Sequence, residues 1–333
     1  MLIIFSEIAD RSASKVTEWL AYYKVPFVRI NCDDAGKQPL LSVKFSDAEQ
    51  RIVLNHQGKQ IEIKKHSIVW FRRGRLENIA PQYFNWKKNV PVPLQLQLYR
   101  HFHAELKTLY DFFYFQFQEQ QINTPVHYVY NKLAILSKAK EAGLSVPDTM
   151  ITTKKTDVRA FIERHNEVIT KNIQDIAILD HKQFYTTQGT IAVTQNFYDA
   201  MPETFGYSLF QKSIHKKYEV RTFYYNERMY SIANFSQQNA NSIVDGRTLE
   251  DEEGKINRLS AFELPAIIKT KLIALMQGLG MNTGSIDWII TPENNFVFLE
   301  VNPVGQFDYV SVHGNFFIEQ EIALDFKRRI SYE

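Results

Sequence analysis

Gly284-Ser285-Ile286-Asp287-Trp288-Ile289-Ile290, followed by Asn295-Phe296-Val297-Phe298-Leu299-Glu300-Val301-Asn302-Pro303, decides how the rest of the 333-residue chain is read. Both halves are β-branched, aromatic and apolar. Thr291-Pro292-Glu293-Asn294-Asn295 between them has turn chemistry, so the pattern predicts a β-hairpin. Side chains alternate along a strand, which puts Glu300 and Asn302 on one face. Closing the hairpin with Thr291 opposite Phe296 places Asp287 directly opposite Glu300. Opposed Cβ atoms lie roughly 4.5–5.5 Å apart. Two carboxylates that close repel, and apolar neighbours raise the cost of leaving them charged. A cation reverses the sign. Two carboxylates and one carboxamide oxygen suit a hard divalent ion, and magnesium takes one or two carboxylates with water and nucleotide phosphate completing its shell. The plain alternative, a surface hairpin with its acids in water, fits poorly with Glu300 inside so apolar a run.

Composition narrows the classes. The chain is 44% hydrophobic and 14% aromatic, enough for a large core split over two or three lobes. A net charge of +2 provides no global basic field, so nucleic acid is not an expected partner. The single cysteine, Cys32, cannot form an internal disulfide and suits a reducing cytosol. The start, Met1-Leu2-Ile3-Ile4-Phe5-Ser6-Glu7, turns acidic too early for a signal peptide, and no apolar run reaches the length of a membrane span. The expected location is cytoplasmic.

The chain opens β-α-β. Leu2–Phe5 reads as a strand, Ser12–Tyr23 as a helix with Val16, Trp19, Leu20 and Tyr23 on one stripe, and Pro26–Ile30 as a second strand. This start predicts a parallel pair in an open α/β sheet. Neither a G-x-G-x-x-G after the first strand nor a G-x-x-x-x-G-K-[ST] is present, which disfavours Rossmann and P-loop readings. Arg51–Leu54 and Gln60–Ile63 read as a hairpin, and Ser67–Phe71 as a strand ending in Arg72-Arg73-Gly74-Arg75. That cluster can hold a carboxylate or phosphate at a cleft, or be a solvated turn. Leu94 to about Gln118 reads as one long helix. Its His101 and His103 fall on different faces, which argues against a histidine metal site.

Gln120–Pro125 reads as a boundary. A helix then opens at Asn131-Lys132-Leu133 and ends at Ala142-Gly143, where glycine suits the C-cap. A strand led in by Val146–Thr149, a helix over Thr156–His165 and a strand over Glu167–Lys171 follow. Gln183–Thr187 and Thr190–Thr194 read as a hairpin with Gly189 at its turn. Ser208–Ile214, Tyr218–Tyr225 and Met229–Phe235 read as further strands.

Here the chain resembles the ATP-grasp ligases. "NKLAILSKAKEAGLSVPDT" resembles the stretch carrying that family's first nucleotide lysine, here Lys132, and "VITK" resembles the second, here Lys171. "LFQKSI…YEVRTFYYNERMYSIANFSQ" resembles the adenine hinge and the strand after it. The resemblance implies that Gln211, Lys212, Ser213 and Ile214 meet adenine, that Glu219 binds ribose, and that Arg221 faces phosphate or substrate. It implies a metal set of Asp287, Glu300 and Asn302 in "IDWII…FLEVNP". "VWFRR", "KKYEVRTF", "FSQQN", "NRLSAFELP" and "VNPVGQFDYVSVHGNFFIEQEIA" point more narrowly to graspetide synthetases, peptide-maturing enzymes of the same family. Arg247 would be a phosphate ligand, although Asp245-Gly246-Arg247 has glycine where these enzymes tend to carry an aromatic residue.

The implied fold is α/β: an N-terminal open α/β domain (1–120), a central small lobe (121–205) and a C-terminal lobe with the metal hairpin (206–333). The implied cofactors are ATP and Mg2+. The implied reaction activates Asp or Glu side chains of a precursor peptide as acyl phosphates and joins them to Ser/Thr hydroxyls or Lys amines. Phosphoryl transfer of this kind rests on positioning and charge neutralisation. Other readings are a ligase adding amino acids to a protein or small molecule, and a nucleotide-binding module without chemistry. Arg72 and Arg73 are candidate substrate anchors. A peptide cyclised at several positions needs a remote handle, for which the hairpin bearing Phe184 and Tyr185 is the candidate, the alternative being a lid over the nucleotide. A homodimer is compatible with all of this.

Overall fold

The structure is a computed structural model describing residues 1–34, 40–47, 49–64, 66–74, 89–117, 121–123, 131–174, 179–181, 184–186, 189–235 and 257–331, with backbone alone for 179–181, 184–186 and 331. The chain divides into two units, Met1–Val129 with Phe317–Glu333, and Tyr130–Phe316.

The first unit begins with β1 (Leu2–Ser6), α1 (Arg11–Tyr22) and β2 (Phe27–Asn31). As expected, β1 and β2 pair in parallel. β1 is buried along its whole length, as befits a parallel strand covered on both faces. Asp10 caps α1, its Oδ1 accepting from Ala13 N at 3.2 Å. β3 (Leu40–Phe45), β4 (Gln50–His56) and β5 (Lys59–Ile63) make a separate antiparallel sheet. The expected 51–63 hairpin is β4–β5. Then come β6 (Ile68–Phe71), the long α2 (Val92–Gln116) and β7 (Gln121–Ile122). The parallel sheet runs β2-β1-β6-β7, and Ile3, Phe5, Val69, Phe71, Phe113 and Phe117 meet in its core.

The second unit opens with α3 (Lys132–Glu141), capped by Asn131, whose Oδ1 accepts from Leu133 N and Ala134 N at 3.1 Å. β8 (Thr149–Lys154), α4 (Lys155–His165), β9 (Val168–Lys171), β10 (Leu179–His181), β11 (Phe184–Thr186), β12 (Thr190–Ala192), α5 (Gln195–Ala200) and β13 (Thr204–Lys212) follow. Their main sheet is β12-β9-β13-β8, with Val158 of α4 packed on Val168 and Phe210. The expected hairpin across Gly189 does not form. β11 pairs with β10, through Phe184 opposite His181, whereas β12 pairs with β9.

The chain continues through β14 (Tyr218–Tyr225), β15 (Arg228–Phe235), β16 (Arg258–Phe262), α6 (Ala266–Gly278), β17 (Thr283–Ile290), β18 (Phe296–Asn302) and α7 (Asp308–Gly314). These strands form an antiparallel sheet ordered β16-β15-β14-β17-β18. Because β13 belongs to the smaller sheet, the change of sheet falls between Lys212 and Tyr218 rather than at residue 205. Trp288 is buried here, and its Nε1 donates to Thr222 Oγ1 at 3.2 Å, so its polar edge is satisfied. Gly305, at φ 58°, turns the chain out of β18. A Cβ there would meet the Phe223 ring at 3.2 Å and Gly284 Cα at 3.3 Å.

α8 (Ile318–Ser331) returns to the first unit. It packs on α1, with Gln320 Nε2 donating to Tyr23 Oη at 2.8 Å and Phe326 against Trp70. Among the described residues no helix is long and apolar enough to cross a membrane.

Candidate active site

Pairing across β17 and β18 builds the site. Asp287 lies opposite Glu300 and Ser285 opposite Asn302. The hairpin itself closes one residue away from the expected register, with Ile290 and not Thr291 opposite Phe296. An irregularity between Asp287 and Trp288 corrects the offset: Trp288 pairs with Phe298 and Asp287 with Glu300, leaving Leu299 as the extra residue of a bulge. On the other side of β17, Arg221 of β14 is in register with Asp287 and Glu219 with Ile289. Paired residues share a face, so Glu219, Arg221, Asp287, Glu300 and Asn302 look the same way.

Cations from other elements approach that face. Lys132, the first residue of α3, has its Nζ 4.0 Å from Glu300 Oε2 and 3.2 Å from Gln174 O, to which it donates. Arg221 Nε stands 3.7 Å from Asp287 Oδ1, and no described residue accepts a hydrogen bond from it. Lys171 ends β9. Burial pulls its ammonium below the usual lysine range, Glu300 and Asp287 oppose that pull, and Lys132 adds to it. Lys132, Lys171 and Arg221 therefore converge on the acid pair from different elements.

Beside them lies a cavity of about 380 Å³ lined by Val168, Ile169, Lys171, Lys212, Ile214, Lys216, Glu219, Ile289 and Leu299 among others. Its walls mix apolar side chains, Val168, Ile169, Ile289 and Leu299, with the charged Lys171, Lys212, Lys216 and Glu219. Lys216 Nζ donates to Glu219 Oε1 at 2.8 Å, which orients that carboxylate. Gln211 is buried and its Nε2 donates to Thr149 Oγ1 at 2.9 Å. The backbone N–H groups of Lys212 and Ser213 already donate to Asp148 O and Glu167 O, each at 2.9 Å.

The residues fit magnesium held jointly with a nucleotide. Among the described residues no group of three or more His, Cys, Asp or Glu is arranged to hold a metal, and Asp287, Glu300 and Asn302 would make only a partial shell. That is what an ion completed by phosphate and water needs. Asn302 Oδ1 accepts from Val304 N at 3.0 Å, and an amide oxygen has a second lone pair for a cation.

Neither a family profile nor any curated protein matches the chain. Solved structures do. The macrocyclase MdnC of Microcystis aeruginosa MRC, bound with the precursor peptide MdnA, superposes with a TM-score of 0.76 at 22% identity, covering 98% of this chain and 99% of that one. A RiPP-associated ATP-grasp ligase of Chryseobacterium gregarium, in complex with ADP and a leader and core peptide, gives 0.77 at 23% identity, covering 98% and 94%. The ATP-grasp ligase PsnB, complexed with a phosphomimetic variant of minimal precursor, Mg and ADP, gives 0.69 at 16% identity, covering 99% and 98%.

The chain has an ATP-grasp fold.

Within that ATP-grasp fold the structure brings together most of the residues singled out by sequence. Lys132, Lys171, Glu219, Arg221, Asp287, Glu300 and Asn302 gather around the acid pair, and Gln211 to Ile214 run along the cavity. Arg72 and Arg73 belong to the other unit. Arg72 is 2% exposed, and its Nε lies 3.4 Å from Asp10 Oδ2, a role inside the β-α-β core rather than at a cleft mouth. Arg73 Nη1 donates to Glu7 Oε2 at 3.3 Å. Arg247 lies outside the described residues, as do the side chains of Phe184 and Tyr185 on β11. Sequence reasoning overlooked Lys216, Ile289 and Leu299. The Lys216-Lys217 pair just before Glu219 was a usable signal for the first; nothing in the alternation of β18 marks Leu299 as a bulge.

Proposed function

We propose that this protein is an ATP-dependent carboxylate ligase of the ADP-forming kind, acting on a precursor peptide. The observation that carries the reading is the register-opposed pair Asp287 and Glu300 beside a cavity of mixed apolar and charged lining, with Lys132, Lys171 and Arg221 around the pair. The similar folds of MdnC, PsnB and the Chryseobacterium enzyme, whose structures hold precursor peptides, support the peptide substrate.

ATP would lie with its base between Ile289, Leu299 and the Gln211–Ile214 segment and its ribose at Glu219. Asp287, Glu300 and Asn302 would hold Mg2+, which neutralises phosphate charge when bound. Lys132 and Lys171 would hold the phosphate oxygens, their charge concentrated by partial burial. A side-chain carboxylate of the peptide, steered by Arg221, attacks the γ-phosphorus. A P–O bond forms, the β–γ bridge breaks, and ADP leaves with the bridging electron pair. A Ser/Thr hydroxyl or Lys amine then attacks the acyl carbon, the C–O bond to phosphate breaks, and the departing phosphate carries off the proton. The products are an ester or amide, ADP and phosphate. The protein's share is to orient the partners and keep water from the acyl phosphate. A cytoplasmic setting belongs to this reading, with the lone Cys32 buried and reduced.

The test incubates the full chain with ATP, Mg2+ and a short peptide encoded beside it that carries Thr/Ser and Asp/Glu residues. ADP release matched by loss of one water from the peptide per bond supports the proposal. Gain of a free amino acid by the peptide would show an adding ligase instead, and ATP binding with no turnover on any such peptide would show a binding module.

A further inference from the structure

Tyr309 played no part in the reading above. It lies on α7, which packs on β14, β15 and β16. Its ring stacks edge-on to His313 at 4.9 Å, yet its hydroxyl is shut off from water and meets no hydrogen-bond partner among the described residues. Arg221 Nε is in the same condition. A buried donor left unmade is unfavourable, and two together point to a guest that both would serve. The phenol also feels both charges of the adjoining face. Burial pushes it up to about 12, Arg221 pulls it down and Glu219 pushes it up. It therefore stays a protonated donor throughout neutral pH. Glu219 does not take that hydrogen bond: its Oε1 accepts from Lys216 Nζ at 2.8 Å, and Tyr309 Oη meets no described acceptor.

Two unspent donors beside one fixed carboxylate select an anionic oxygen. Among the described residues, those lining the nucleotide cavity include Glu219 but neither Arg221 nor Tyr309, so the guest approaches from outside the base and ribose pocket. We propose that Tyr309 Oη–H and Arg221 Nε–H form a donor pair for a carboxylate oxygen of the peptide, holding the acid to be activated. The assignment rests on the ligase reading. The same chemistry would take a phosphoryl oxygen, and the test separates the two.

The full chain is prepared with ¹³Cζ-labelled tyrosine, and the Tyr309 resonance is assigned from the spectrum of Tyr309→Phe. Should that variant misfold, fluorotyrosine at position 309 alone supplies the signal. Two probes are titrated, N-acetyl-glutamate methylamide and Mg·ADP, with calorimetry of Mg·ADP on the same samples. The expected result is that the glutamate probe moves the Tyr309 signal and Mg·ADP does not. Tyr309→Phe should weaken the glutamate probe about fivefold and leave Mg·ADP within about twofold. A signal moved by Mg·ADP alone makes the guest a phosphoryl oxygen and overturns the proposal. A signal moved by neither, while calorimetry registers Mg·ADP, overturns it as well. Absence of Mg·ADP binding would instead overturn the ligase reading, with the donor pair still judged by the glutamate arm.

Discussion

Two Arg–Asp pairs in this molecule invite the same reading and do opposite things. Arg72 and Asp10 sit in the first unit, 2% and 3% exposed at the side chain, 3.4 Å apart. Asp10 is fully committed: one oxygen caps α1 and the other accepts from Ser6 Oγ at 3.2 Å. Arg221 and Asp287 sit in the second unit, 27% and 30% exposed and 3.7 Å apart. A second carboxylate and two lysines share the space around that pair. The first pair is closed, with charge answered by charge and by backbone. The second is open, partly exposed, with two carboxylates facing and several cations around them. An open arrangement is unfavourable for the empty protein and favourable once phosphate and a cation enter, which is the mark of a site.

The comparison breaks first at Arg72. Arg72→Met leaves Asp10 buried and uncompensated, so urea unfolding of the first unit should show a loss of about 3–5 kcal/mol while ATP affinity holds. Wild-type stability with weakened ATP binding would make Arg72 a ligand residue after all. Glu300→Gln keeps shape and removes one charge from the open set. ATP turnover should fall by at least about a hundredfold, roughly 2.7 kcal/mol, with an unchanged circular dichroism spectrum. Near-normal ADP release from the folded variant would remove Glu300 from the site.

Lys171 gives the smallest effect and the sharpest sign. Lys171→Ala should weaken ATP binding by about 1.5–3 kcal/mol in calorimetry, the range for charge-assisted contacts. Its pH signature concerns the empty protein. Because burial lowers the folded pKa below 10.5, the unfolded chain binds more protons between the two values, and this group's contribution to stability rises with pH across that window. Lys171→Met should abolish that rise. A wild-type profile that falls through the window, or one the variant leaves intact, would place Lys171 in water.

What could be read from sequence follows physical range. β1, α1, β2, α2 and the β17–β18 hairpin announce themselves through local periodicity and turn residues. Pairing partners do not. Gly189 signals a turn, but β12 pairs with β9, and nothing near Thr190 records that choice. The opposition of Asp287 and Glu300 was anticipated from a hairpin closed one residue out of place, and it holds because of the bulge at Leu299. Arg72 shows the same limit of range: a run of arginines is visible, while Asp10, which lies 3.4 Å from it in the fold, is far away in sequence. The cluster of Lys132, Lys171, Arg221, Asp287 and Glu300 was legible through family resemblance, since no single lysine declares a ligand.

The return of α8 to the first unit has a consequence for synthesis. Residues 130–316 leave the ribosome complete before Ile318–Ser331 emerges, and until then α1 lacks the helix that covers it. The part translated first is thus finished last, with Trp70 waiting for Phe326 and Tyr23 for Gln320. A nascent chain stalled before α8 would carry a first unit whose sheet and α1 are still uncovered, apolar surface of the kind that makes folding intermediates aggregation-prone.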